Sequence, residues 1–119
     1  MNLLTEIKQE LKVIGKTLDD VVWVGCEQFS IPIPRFLELA NTEYDRSFGT
    51  EEVATDLLIV GENWWLERHN YDGSEWFEYK TMPKKPSYEN QNVFAVTRNQ
   101  SKVSWVSTLE DMNDESGNL

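Results

Sequence analysis

The sequence predicts an α+β fold: an antiparallel sheet of about five strands built around a long central hairpin (57–82), with an N-terminal helix (3–14) and a second helix (34–45) packed on it. Three observations carry this reading. Leu3, Leu4, Ile7, Leu11 and Ile14 recur at helical spacing. Pro34 opens a second helical pattern with Phe36, Leu37, Ala40 and Tyr44 on one face. Between Leu57 and Pro83, two runs of aromatic and branched residues flank Asn70-Tyr71-Asp72-Gly73, a turn signal.

In chain order, Asn2 caps the first helix and Gly15 ends it in the left-handed conformation. Asp20 to Gly25 is too short and too β-branched for another helix and reads as a strand. Pro32 and Pro34 interrupt the chain, and the second helix fades near Asp45. Asp45 to Gly49 reads as a loop, after which Thr50 caps one helical turn through Val53. Beyond the hairpin, 83–92 forms a connection, and Val93–Thr97 and Lys102–Ser107 read as two further strands. Residues 1–108 form one domain. Residues 109–119, with Glu110, Asp111, Asp114 and Glu115 and no cation, read as an acidic, flexible tail.

The hairpin register decides which side chains share a face. A two-residue turn at Asp72-Gly73 sets Glu67 opposite Glu78, and like charges facing across strands are destabilising. A three-residue loop, Tyr71-Asp72-Gly73, avoids this, and is the preferred expectation. It pairs Trp64 with Lys80, Leu66 with Glu78 and Arg68 with Trp76, so that Trp64, Leu66, Arg68, Trp76, Glu78 and Lys80 line one face. Trp65, Glu67, His69, Glu75, Phe77 and Tyr79 line the other. Rings on both faces mean that both are covered or that one is left for a partner. Arg68 and Lys80 can lie over indoles, which makes the first face the wetter one. The tentative protein-binding site is therefore Trp64, Leu66, Arg68, Trp76 and Lys80; on the plainer reading these rings complete a small core.

Composition narrows the function classes. The 119 residues are 39% hydrophobic and 27% charged, the proportions of a globular domain. No apolar run reaches the roughly twenty residues that cross a bilayer, and the start has no signal-peptide core, so a cytoplasmic protein without membrane contact is expected. The lone Cys26 fits a reducing compartment. Acids number 21 against 11 lysines and arginines, a formal net charge of −10, which argues against direct nucleic-acid binding. The same charge admits a nucleic-acid mimic that occupies a basic groove of another protein.

Catalytic and metal groupings are sparse. One histidine, His69, and one cysteine leave a Cys26–His69 dyad or an acidic pair such as Glu67 with Glu78 as the enzymatic alternatives. No zinc pattern, calcium loop or phosphate-binding glycine motif occurs, so neither cofactor nor metal is expected. A non-enzymatic role is favoured.

Ile31-Pro32-Ile33 with the helix after it, Asp56 to Gly61, Trp64-Trp65-Leu66-Glu67-Arg68, Tyr71 to Trp76 and Tyr79-Lys80-Thr81-Met82-Pro83 together resemble small uncharacterised proteins of phages and prophages of Gram-positive bacteria. The resemblance spans residues 20–86. It implies a mobile-element origin and an intracellular accessory factor, and carries over no functional residue. The expected function is that of a protein-binding module engaging a host or phage protein, with homodimerisation through the aromatic face as a further expectation.

Overall fold

The structure is a computed structural model that describes residues 1–45, 50–103 and 105–114. The expected loop over 46–49 and the distal tail over 115–119 lie outside the described residues. The chain forms two compact units, Met1–Pro83 and Lys84–Leu119. This division does not coincide with the expected boundary at 108/109.

The first unit is the α+β body. Helix α1 spans Leu3–Val13. Asn2 Oδ1 accepts the Thr5 N–H at 3.0 Å, and the Lys16 N–H returns to the Leu11 carbonyl at 2.8 Å, so both expected ends form. Strands β1 (Trp23–Gly25) and β2 (Ser30–Ile31) follow, then helix α2 (Ile33–Ala40) with Pro34 in its first turn. Helix α2 stops short of Asp45. The Leu3 N–H bonds to the Thr42 carbonyl, and Asn2 bridges Glu43, which takes residues 42–44 into extended pairing and seats Tyr44 under α1. The helical turn expected at 50–53 is absent, because Glu52 and Val53 direct their N–H groups at the Glu75 carboxylate instead.

The sheet is completed by β3 (Leu58–Val60), β4 (Trp64–Tyr71) and β5 (Ser74–Thr81), in the order β2-β1-β3-β4-β5, every pair antiparallel. Residues 57–82 are thus a three-strand meander whose long hairpin is β4–β5. The turn between β3 and β4 is closed by the Gly61 N–H to the Trp64 carbonyl at 2.9 Å. A Cβ on Gly61 would stand 2.0 Å from the Trp64 ring, so this glycine makes room for the indole.

The β4–β5 turn corrects the expected register. Asp72 (φ 50°) and Gly73 (φ 83°) are the two central residues of a two-residue loop, both left-handed, which suits Asp-Gly and matches strand twist. Tyr71 pairs with Ser74, Arg68 with Phe77, Leu66 with Tyr79 and Glu67 with Glu78. The like-charge pair is accepted. Its cost is at most about 1 kcal/mol, whereas slipping by one residue would turn Phe77 out of the core, and burying such a ring is worth about 1.5–3 kcal/mol.

Leu3, Ile7 and Leu11 of α1 and Phe36 and Ala40 of α2 pack on Val24, Ile59, Trp64, Leu66 and Phe77, which all lie on one face of the sheet. Along Leu57–Val60 and again along Trp64–His69, buried and half-exposed residues alternate, as a sheet with one dry side requires.

The second unit has its own small core of Ala95, Val103, Val106 and Met112 beside a four-residue helix α3 (Leu109–Met112). The strands expected over 93–97 and 102–107 do not form among the described residues. Asn113 Oδ1 takes the Phe94 and Ala95 N–H groups, and Gln100 Oε1 takes those of Val96 and Thr97. Side-chain amides replace the ladder partners that a strand would need.

Candidate functional site

The expected binding residues fall on two faces. Trp64 (5% exposed), Leu66 (0%) and Arg68 (6%) belong to the core, and only Trp76 and Lys80 lie on the outer face. The cause is the register: the two-residue turn pairs Arg68 with Phe77 rather than with Trp76, so the two strands contribute differently matched sets of side chains.

Arg68 does not cover an exposed indole; it is a buried cation at the centre of a polar network. Its Nη1 donates to Glu6 Oε2 at 3.0 Å, its Nη2 to Tyr44 Oη at 2.7 Å and to Glu75 Oε1 at 3.0 Å, while the Tyr44 hydroxyl donates to Glu6. The guanidinium stacks over Phe77 at 4.6 Å and Tyr44 at 5.3 Å from the ring centroids. Burial acts to discharge Arg68, but hydrogen bonds to Tyr44, Glu75 and Glu6 outweigh it and raise its pKa. Burial likewise opposes ionisation of Glu75, yet the Glu52 N–H, Arg68 and the Val53 N–H hold its carboxyl below the usual range. Burial, with the bond to Glu6, pushes the Tyr44 hydroxyl up to about 12. Among the described residues no buried side-chain polar atom lacks a partner. This network ties α1, Tyr44, residues 52–53, β4 and β5 together, and its side chains are buried.

The outer face of the sheet is the surface the fold leaves for other work. The β1–β3–β4–β5 ladders place Trp23, Val60, Trp65 and Lys80 in one row, and Leu58, Glu67 and Glu78 in the next. His69 and Trp76 pair in the row beyond, and all of these side chains are half-exposed. Trp65 Nε1 donates to Glu67 Oε1 at 2.7 Å and Trp76 Nε1 to Glu78 Oε2 at 3.2 Å. Between the carboxylates lies His69, Nε2 at 2.7 Å from Glu67 and Nδ1 at 3.3 Å from Glu78, and Lys80 Nζ stands 3.4 Å from Glu78 Oε1. The Trp65 indole, then His69, lower the pKa of Glu67.

Trp23, Leu58 and Val60 were not expected in a site. Nothing in the residues of β3 marks Leu58 or Val60, because Leu57 to Val60 is apolar on both sides; that Val60 pairs with Trp65 and Trp23 with Val60 follows from strand order alone.

The Glu67–His69–Glu78 group has the residue types of acid–base chemistry but stands on an open sheet face. Clefts of about 400 Å³ at Lys8–Asp19 and about 260 Å³ between Glu27 and Arg68 are lined by neither His69 nor Glu78, although Glu67 borders the second. Cys26 is a free thiol on the loop after β1. Among the described residues no group of three or more His, Cys, Asp or Glu is placed to hold a metal ion, and no helix is long and apolar enough to cross a membrane. Comparisons with protein families, with curated proteins and with solved structures find no significant match.

Proposed function

We propose that this protein is a non-enzymatic docking module whose partner-facing surface is the outer face of the sheet, with Trp23, Trp65 and Trp76 around Glu67, His69 and Glu78. The observation that carries this is the state of the indoles. Trp65 and Trp76 are half-exposed, and each N–H is already taken by a carboxylate two residues further along its own strand. Their polar needs are met within the module, so what they offer a partner is ring area held in fixed orientation. Trp is the residue type most enriched among binding hot spots, and rigid rings lose little entropy on docking. The charged groups between the rings give such a surface its specificity. The resemblance to phage and prophage proteins and the single free thiol support an accessory role inside a bacterial cell, with a host or phage protein as partner.

The test is capture of a partner from an extract of the natural host by immobilised full-length protein, followed by titration of that partner. Trp65→Ala is expected to weaken binding at least about thirtyfold, the effect of losing a hot-spot side chain. Its far-UV circular dichroism should match the wild type. Undiminished binding by a folded Trp65→Ala/Trp23→Ala variant removes the outer face as the docking surface.

A further inference from the structure

We infer that a second copy of this chain pairs with β5 edge to edge, antiparallel about a two-fold axis through Tyr79, and extends the sheet across the dimer. Strand β5 ends the sheet, and among the described residues no strand pairs its outer edge. It is eight residues long and contains no proline or glycine, so nothing interrupts its row of backbone groups, and the charges it carries, Glu78 and Lys80, are of opposite sign.

The direction of its backbone groups follows from the turn. In a two-residue hairpin the flanking residues Tyr71 and Ser74 form a hydrogen-bonded pair, so even-numbered residues of β5 bond inward to β4. The Met82 N–H to the Asn63 carbonyl, 3.2 Å, continues that parity. Phe77, Tyr79 and Thr81 therefore direct their N–H and C=O groups outward, where a second strand can take them.

Charge selects among the symmetric registers that match these groups. Centring on Glu78 or on Lys80 sets like charges face to face, and centring on Phe77 sets Glu78 against Trp76 and Lys80 against Ser74. Centring on Tyr79 alone sets Glu78 opposite Lys80 of the second copy, twice by symmetry. The same register joins Phe77 to Thr81 of the second copy and sets Trp76 beside its Met82. It ends the ladder at Pro83, which has no N–H to leave unpaired. Tyr79 and Met82, 43% and 67% exposed, both become covered.

This contact uses the edge of the sheet and stands apart from the docking role of its outer face. Sedimentation equilibrium of the full chain at low salt should show a monomer–dimer equilibrium. Lys80→Glu, which sets glutamates opposite each other at both symmetric positions, should raise the dimer Kd about tenfold or more. The charge swap Glu78→Lys/Lys80→Glu should restore the wild-type value, which a merely structural role for either residue would not do. Circular dichroism should show all three chains folded. A monomeric wild-type chain overturns the inference, as does a Lys80→Glu variant that dimerises normally or a swap as weak as the single change. Trp65→Ala should leave the dimer intact, so this inference and the docking reading fail separately.

Discussion

Glu67 and Glu78 stand directly opposite each other on the outer face of the β4–β5 hairpin, and the imidazole of His69 lies against both carboxylates. Each carboxylate also accepts an indole N–H from its own strand. Like charges are thereby held at a position where repulsion would otherwise oppose the register. Aromatic rings and charges are organised here as one connected surface.

His69→Ala is expected to destabilise the protein by about 0.5–1 kcal/mol, because the two facing carboxylates lose the ring that lies between them, Glu67 keeping its indole donor and Glu78 its indole donor and Lys80. Adding Glu67→Gln should recover much of that loss, since one charge of the pair is gone. The measurement is a double-mutant cycle from urea midpoints; equal stability of the single and double variants would show that the pair exerts no repulsion.

Arg68→Met should cost far more, about 3–5 kcal/mol, because Glu6 and Glu75 would remain buried without the guanidinium between them. Replacing Glu6, Arg68 and Glu75 together by Met, Leu and Met should be less damaging than the single change. Denaturant unfolding decides it: a mild Arg68→Met phenotype would mean that the network opens to water.

Tyr44 sets an alkaline limit. Its hydroxyl has a raised pKa in the folded state, about 12 against an ordinary 10.0, with burial the largest cause. A raised folded value favours the fold fully below the unfolded pKa, and that contribution is lost as pH rises from about 10 through about 12. The melting temperature should therefore fall over this window, with a shallower slope in Tyr44→Phe, as scanning calorimetry at successive pH values would show.

Much of the fold is legible in the residues because it rests on local chemistry. Asn2 as a cap, the close of α1 at Gly15 and Pro34 at the head of α2 each follow from which backbone groups a nearby residue can satisfy or forgo. The tight turn is legible in Asp72-Gly73 as well, although the facing charges of Glu67 and Glu78 favour the longer loop. A surface charge pair is worth less than the burial of Phe77, and that burial depends on helices distant in the chain. Val93–Thr97 misleads for another reason: its run of branched and aromatic residues suits a strand, but Asn113 and Gln100 occupy the N–H groups of Phe94 to Thr97.

The sequence by itself determined an α+β body with two helices on an antiparallel sheet, and a hairpin carrying more rings than one face can hold. Only the tertiary structure decided which rings face out. Packing of α1 and α2 buries Trp64, Leu66 and Phe77 on one side and leaves Trp65 and Trp76 on the other, while strand order alone puts Trp23 in the row of Trp65, with Val60 between them. Local propensities act over a few residues, whereas the choice between two sheet faces is settled by apolar area buried against segments dozens of residues away.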